Sequence, residues 1–282
     1  VEYACDGLLI ELKINSFVDN VESYKIVSTD AGYEIHGSDE LGLYYGIGKF
    51  LHSAIWTDTE FVPKPPSKEM IPACGFRATY YSVHFYNWYH MAPVKELEEY
   101  LESMLLWGYN TIVCILPIVN FKNFDGPVYL ELREKTRTIY KMAKSYGMKI
   151  GTMINPNQGL ITTPAEFAAD PSCYEFRTGG GGKNVCPEIP GAMEYLRSLW
   201  IKVFEQYADI DYVFTWPYDE GGCGCEKCSP WGANGFVKIS HETFTDAKRF
   251  FPNVKCILST WYLDEYKTGP CDLGEFRGLY ER

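Results

Sequence analysis

The sequence predicts an α/β fold: a (β/α) barrel preceded by a small α+β domain. After residue 70, short apolar strands alternate with amphipathic helices, a pattern typical of a parallel sheet covered by helices. No Gly-X-Gly-X-X-Gly motif follows a strand, so the main signature of a dinucleotide-binding doubly wound sheet is absent. Polar and aromatic residues gather where the strands end, as they do at the active-site face of a TIM-type barrel.

Residues 1–70 are predicted to form the small α+β domain. Partial alternation of apolar residues predicts strands over 8–14, 24–28 and 32–36, with a turn at 30–32 between the last two. In the segment 41–51, Leu43, Ile47 and Phe50 fall on one face of a helix. The Pro-rich stretch 62–67 is typical of a linker, and it leads into the second predicted domain.

Residues 71–282 are predicted to form the barrel domain. Strands are expected over 76–84, 111–116, 148–154, 211–216 and 254–260, separated by helices over 93–107, 131–146, 191–207 and 236–250. Pro93 suits the first turn of its helix, and Gly108 and Gly147 suit the positions that end two of them. A closed barrel needs eight strands and the pattern supplies five, so we expect a barrel truncated after about five strands, with its C-terminal part missing and one side open.

Composition and charge narrow the functional classes. The net charge is −11 and there is no long basic run, which argues against nucleic acid or an anionic membrane as a partner. The sequence contains no stretch of about 18 apolar residues, so no membrane span is predicted. The aromatic content of 16% includes 22 Tyr, and such side chains suit a pocket for a ligand with polar edges and apolar faces. A carbohydrate is a ligand of this kind. Nothing in the pattern indicates an oligomeric state.

The strongest candidate for catalysis is the adjacent pair Asp219 and Glu220, which follows the predicted strand 211–216. Pro217 precedes the pair and Gly221 and Gly222 follow it, so the backbone can bend and direct both carboxylates into one pocket. Paired carboxylates suit glycoside hydrolysis, in which one group protonates the leaving oxygen and the other stabilises developing positive charge. The alternative interpretation is an ordinary solvated turn.

These features resemble glycoside hydrolase family 20, the β-N-acetylhexosaminidase-type barrels. The small α+β domain with its helix at 42–51, the segment Gly75-Phe76-Arg77 and the pair Asp219–Glu220 carry the resemblance. It implies a retaining enzyme that needs no cofactor for catalysis. Glu220 would be the general acid, Asp219 would orient the substrate's own acetamido nucleophile, and Arg77 would bind sugar hydroxyls. The family has His-X-Gly-Gly before its Asp-Glu pair, whereas this chain has Trp216-Pro217-Tyr218.

That departure leaves other functions open. A uronic-acid glycosidase of the α-glucuronidase type and a non-catalytic carbohydrate-binding barrel are the alternatives. A segment beginning Cys186-Pro187-Glu188, followed by Gly-Gly-Cys-X-Cys-X-X-Cys, also resembles bacterial barrel proteins related to hexosaminidases and α-glucuronidases. In any of these interpretations, polar and aromatic residues near the strand ends are candidates for substrate binding: His84, Asn155, Trp216, Tyr218 and Trp261.

Three of the ten cysteines, Cys223, Cys225 and Cys228, lie within six residues. Thiolates this close could share one structural zinc ion or form a tight disulfide loop, and free thiols are the remaining interpretation. A closed zinc site needs a fourth ligand, for which Cys186 and His241 are the candidates. A catalytic metal is disfavoured because the cluster lies beyond the strand end.

Overall fold

A computed structural model of the protein describes residues 7–14, 20–82, 87–171, 184–217 and 222–259. The predictions for five site residues therefore concern positions outside the described residues: His84, Tyr218, Asp219, Glu220 and Trp261. Within the described ranges, the chain forms three sheets and six α-helices. No helix in this part of the chain is long and apolar enough to cross a membrane.

The N-terminal region contains a small three-stranded sheet. Its strands lie in the order β1-β3-β2, with β1 parallel to β3 and β2 antiparallel to it: β1 (Leu9–Ile14), β2 (Tyr24–Thr29) and β3 (Gly32–Gly37). Helix α1 (Glu40–Ser53) follows, and the carboxylate of Asp39 caps it by accepting a hydrogen bond of 2.8 Å from the Gly42 amide. The prediction of a small α+β unit before the main sheet is confirmed.

A short hairpin that the sequence pattern did not indicate follows α1. Strand β4 (Ile55–Trp56) pairs antiparallel with β5 (Phe61–Val62), and the Trp56 ring packs against Phe61 with centroids 4.6 Å apart. Each strand has only two residues, so no alternation is available to reveal it. The Pro-rich stretch predicted as a linker begins where this hairpin ends.

The main sheet has five parallel strands whose spatial order follows the chain order: β6 (Ala78–Tyr81), β7 (Thr111–Ile115), β8 (Lys149–Ile154), β9 (Tyr212–Thr215) and β10 (Lys255–Leu258). Every residue of β7 and β9 is buried, as expected for strands covered on both faces. The sheet and its flanking helices are consistent with part of a TIM barrel, which confirms the predicted fold class.

The flanking helices lie close to their predicted positions: α2 (Trp88–Met91), α3 (Val94–Leu106), α4 (Pro127–Ser145), α5 (Ala192–Phe204) and α6 (Val237–Phe250). Helix α4 starts earlier than the predicted residue 131, because Pro127 is suited to the first turn of a helix. Gly108 and Gly147 follow α3 and α4 with φ angles of 96° and 76°, which glycine adopts with little strain.

The described residues group into two compact units. The first draws on residues 1–80, 92–112 and 138–149, and within it α1 and α3 approach so closely that a Cβ atom on Gly48 would lie 1.8 Å from the Leu106 carbonyl oxygen. The second draws on residues 81–91, 113–137 and 150–282, and it contains the carboxyl ends of β7 to β10. The predicted boundary near residue 70 stays a prediction.

Candidate active site and thiol cluster

The carboxyl ends of β8 and β9 lie side by side and carry the candidate sugar-binding residues. The Trp216 amide, directly after β9, donates a hydrogen bond of 2.9 Å to the carbonyl of Ile154, the last residue of β8. Asn155 is the first residue after β8, and Trp216 is the first residue after β9. This hydrogen bond therefore places the two segments that follow the strands side by side. Trp216 is partly buried, and the chain then runs through Pro217 toward the predicted catalytic pair.

Buried polar side chains concentrate at this edge of the sheet. Asn155 is 9% exposed and its amide nitrogen donates a 2.8 Å hydrogen bond to Gln158. Among the described residues, Asn155 Oδ1, Asn157 Nδ2 and Thr215 Oγ1 are buried without a hydrogen-bond partner. Buried polar atoms are normally paired, so three unpaired ones at the strand ends indicate that a water molecule or a ligand binds there.

A small cavity lies beside Asn155 and Gln158. Its volume is about 20 Å³, and its walls come from the ends of β7 and β8 and from Trp200 of α5. A space of this size holds about one water molecule. The Trp200 indole donates a 3.1 Å hydrogen bond to the Pro156 carbonyl and so fixes the backbone beside Asn155.

Arg77 directly precedes β6, so it stands at the amino end of its strand, whereas Asn155 and Trp216 follow carboxyl ends. Its Nε donates a hydrogen bond of 2.6 Å to the Gly108 carbonyl. Its two terminal nitrogens donate hydrogen bonds to the Cys74 carbonyl and the Glu22 carboxylate. Asn110 completes the network: its Oδ1 accepts from the Arg77 amide at 3.0 Å and its Nδ2 donates to Glu22.

The side chains of Arg77 and Glu22 are only 21% and 12% exposed. Each nitrogen of the Arg77 guanidinium already makes one hydrogen bond within the first unit. The network thus joins the segment that precedes β2 to the segments that precede β6 and β7. A sugar-binding role of Arg77 stays a prediction.

Four cysteines form the clearest cluster of functional side chains among the described residues. Cys186 joins Cys223, Cys225 and Cys228, and the four sulfur atoms all lie within 4.8 Å of one another. The Cys186 sulfur is 3.8 Å from those of both Cys225 and Cys228, far beyond the S–S bond length of about 2.05 Å, so all four thiols are free. We call these residues the thiol quartet.

His241, the other candidate for the fourth ligand, is not part of the thiol quartet. Its side chain is 79% exposed and its Nδ1 lies 3.9 Å from the carboxylate of Glu242. The reason is its position on α6, where residue 241 projects away from the buried face that carries Ile239 and Ser240.

The surroundings of the thiol quartet are apolar, and hydrogen bonds act on its sulfur atoms in opposite directions. Cys223 and Cys228 are fully buried in a cluster with Trp231 and Phe236. The Asp170 amide donates a 3.2 Å hydrogen bond to the Cys223 sulfur, which stabilises negative charge there. Hydrogen bonds from the Cys223 and Cys228 thiols lower the pKa of Cys186 to about 4, whereas hydrogen bonds with Cys186 and Cys223, together with burial, raise the pKa of Cys228. The sequence pattern gave no indication of Asp170, because its contact with Cys223 joins residues 53 positions apart.

No protein-family model matches the chain, and no curated protein matches it. Solved structures do. A glycoside hydrolase family 20 β-N-acetylglucosaminidase aligns with a TM-score of 0.64 at 16% identity, over 88% of this chain and 56% of that one. The family 20 β-N-acetylhexosaminidase from Streptomyces coelicolor A3(2) aligns with a TM-score of 0.60 at 13% identity, over 88% and 53%.

A third similar structure is CpGH89 from Clostridium perfringens, solved in complex with its substrate GlcNAc-α-1,4-galactose. Its TM-score is 0.62 at 13% identity, over 96% of this chain and 36% of that one. This chain therefore spans about half of the length of the hexosaminidases and about a third of CpGH89. At these identities the likeness shows a glycosidase-like fold.

Proposed function

We propose that the protein is a retaining glycoside hydrolase of the β-N-acetylhexosaminidase type, with Asp219 and Glu220 as its catalytic residues. The observation that carries the proposal is the place of this pair in the sequence of a chain with a glycosidase-like fold. It follows Pro217 beyond the end of β9, the strand that pairs with β8 at the edge where Asn155, Asn157 and Thr215 bury unpaired polar atoms. Active sites of such barrels form at the carboxyl ends of the strands.

In the proposed mechanism, Glu220 donates a proton to the oxygen of the leaving group as the glycosidic bond breaks. Asp219 stays ionised, orients the substrate's acetamido group and stabilises the positive charge that develops as this group attacks the anomeric carbon. Water then opens the resulting ring, and Glu220 takes back a proton as general base. The two carboxyl groups need different environments, because the acid must have a raised pKa while its neighbour stays charged.

The sugar pocket is proposed to include Asn155 and Trp216. The Asn155 Oδ1 atom is a buried acceptor that a sugar hydroxyl can satisfy, and the Trp216 ring offers an apolar face to a pyranose. His84, Tyr218 and Trp261 are proposed to complete the pocket, and the partner is accordingly a carbohydrate. The catalytic groups that the protein supplies in this mechanism are carboxylates, so a metal ion held by the thiol quartet would be structural.

A comparison of aryl glycosides tests this proposal on the full-length gene product. The 4-nitrophenyl glycosides of N-acetyl-β-glucosamine, β-glucose and glucuronic acid would be assayed in parallel with the Glu220→Gln variant. Turnover of the N-acetyl sugar that depends on Glu220 is the expected result. Preference for the glucuronide would favour a uronic-acid glycosidase. Sugar binding without turnover by the unsubstituted protein would instead indicate a carbohydrate-binding barrel.

A further inference from the structure

We propose that Cys186, Cys223, Cys225 and Cys228 bind one structural zinc ion that ties the segment before α5 to the segment after β9. The first argument is geometric. A tetrahedral zinc site with four Zn–S bonds of about 2.3 Å has sulfur–sulfur edges of about 3.8 Å. The two Cys186 distances are 3.8 Å, and all four sulfurs lie within 4.8 Å.

The donor set also selects the metal. Soft thiolates arranged as a tetrahedron favour Zn²⁺ or iron over the hard cations Mg²⁺ and Ca²⁺. Sulfurs this close surround a single ion and leave no room for a polynuclear iron–sulfur cluster. Four protein ligands also close the coordination sphere, which is typical of structural zinc rather than of a catalytic site with an open position.

The environment of the thiol quartet supports bound metal. Three of the sulfurs belong to buried residues, and only Cys225 is partly exposed, so an ion can enter from one side. The Asp170 backbone contacts the site twice, since its amide donates to the Cys223 sulfur at 3.2 Å and its carbonyl accepts from the Gly224 amide at 3.2 Å. Amide donors of this kind compensate the negative charge that remains on zinc-bound thiolates.

The ligands come from two segments that are distant in sequence. Cys186 is 39 residues from Cys225 and 42 from Cys228, and it directly precedes the turn that leads into α5. Cys223 lies just after Gly221 and Gly222, which follow the pair Asp219–Glu220. A shared ion would therefore fix one end of the catalytic segment, a consequence that rests on the proposed glycosidase function. Zinc binding itself does not rest on that function.

The test measures metal in the full-length protein purified without chelators. We expect about one zinc per chain by elemental analysis. Exchange with Co²⁺ should give the intense near-ultraviolet thiolate charge-transfer band and the visible bands of a tetrahedral site. Cys225→Ser is the preferred ligand variant because Cys225 is the least buried ligand, and it should lose zinc at a chelator concentration that the unsubstituted protein withstands. Cys74→Ser removes an exposed cysteine outside the quartet and should keep the metal.

The proposal would be overturned by folded protein with no zinc and no cobalt charge-transfer band, by iron in place of zinc, or by a disulfide within the quartet in mass spectrometry. Zinc retained equally by Cys225→Ser and Cys74→Ser would exclude the four-ligand site. None of these readouts uses sugar turnover. A protein that binds zinc but cleaves no glycoside would therefore refute the proposed function and leave the metal site standing.

Discussion

Gly222 packs directly against the indole ring of Trp231, so that a Cβ atom at residue 222 would lie 1.8 Å from the ring. Both residues are buried, and Gly235 also packs against the ring, since a Cβ atom there would lie 1.9 Å from it. The glycine after the Asp-Glu pair thus has a packing role besides the backbone freedom expected from the sequence.

The first prediction is that Gly222→Ala destabilises the protein. The added methyl group must displace a buried aromatic ring, and overpacking of this kind costs about 1–3 kcal/mol. Urea unfolding followed by tryptophan fluorescence measures the change. Gly75→Ala is the matched control, because no atom lies within 4 Å of a Cβ placed at Gly75. Equal stability of the two variants would mean that the ring does not occupy this position.

The second prediction concerns the ion pair between Arg77 and Glu22. Arg77→Lys should lower the free energy of unfolding by about 2–4 kcal/mol, because lysine cannot reach three acceptors in different directions and Glu22 would keep a partly buried charge. Thermal and urea unfolding measure this loss. Lys95→Met is the control. It removes an exposed cation 3.8 Å from Glu99 and should lower the free energy of unfolding by only about 0–1 kcal/mol.

The same variant separates two roles for Arg77. If Arg77 mainly stabilises the first unit, Arg77→Lys should leave the affinity of the folded protein for sugar unchanged. A large loss of affinity at conditions where the variant stays folded would support the role that the family resemblance implies, in which Arg77 binds sugar hydroxyls.

The third prediction is a dependence of stability on pH that comes from His90. Burial, and then the nearby Lys135 cation, lower the pKa of His90 below its ordinary value of 6.5. The unfolded chain binds a proton near pH 6.5, whereas the folded protein binds it only at lower pH. The stabilisation is therefore complete above pH 6.5 and is lost as pH falls toward the folded pKa.

Urea unfolding at several pH values measures this effect. His90→Gln should flatten the curve below pH 6.5. Lys135→Met should raise the pKa of His90 in an NMR titration, because it removes the second cause of the shift. An unchanged His90 pKa in the Lys135→Met variant would contradict the assigned cause.

The sequence predicts the main sheet well because each strand carries its own signal. A run such as Thr111–Ile115 is apolar throughout, and helices such as α3 have one apolar face and a glycine after the end. Local patterns did not predict the hairpin at Ile55–Val62, whose two-residue strands are too short to show a period. The apolar face of α4 predicts a start at residue 131, whereas the helix begins at Pro127.

The candidate site was only partly predictable for a related reason. The spacing of Cys223, Cys225 and Cys228 suggested a metal site, but Cys186 and His241 were equal candidates until the fold brought Cys186 into contact. The strand predicted over 76–84 already places Arg77 at an amino end, but its bonds to Gly108 and Glu22 join residues 31 and 55 positions away. Long-range contacts decide both cases.

The fourth prediction distinguishes the roles of Asp219 and Glu220 through the leaving group of the substrate. Glu220→Gln should reduce hydrolysis of a glycoside with a poor leaving group by about 10²–10⁴-fold, because its oxygen must be protonated as the bond breaks. The leaving group of a 2,4-dinitrophenyl glycoside needs little protonation, so the rate of hydrolysis of this substrate should fall far less. Steady-state kinetics on both substrates measures kcat/KM, and circular dichroism checks that the variant is folded. Equal losses on the two substrates would mean that Glu220 is not the general acid.

Asp219→Asn is the companion variant, and it should slow both substrates alike. It keeps the size of the side chain but removes the charge that stabilises the acetamido-derived intermediate, whatever the leaving group is. The N-acetyl sugar and its plain counterpart supply the remaining comparison, since only the former carries the proposed nucleophile. If the unsubstituted enzyme cleaves both sugars equally well, the acetamido group takes no part in the reaction, and the uronic-acid alternative gains support.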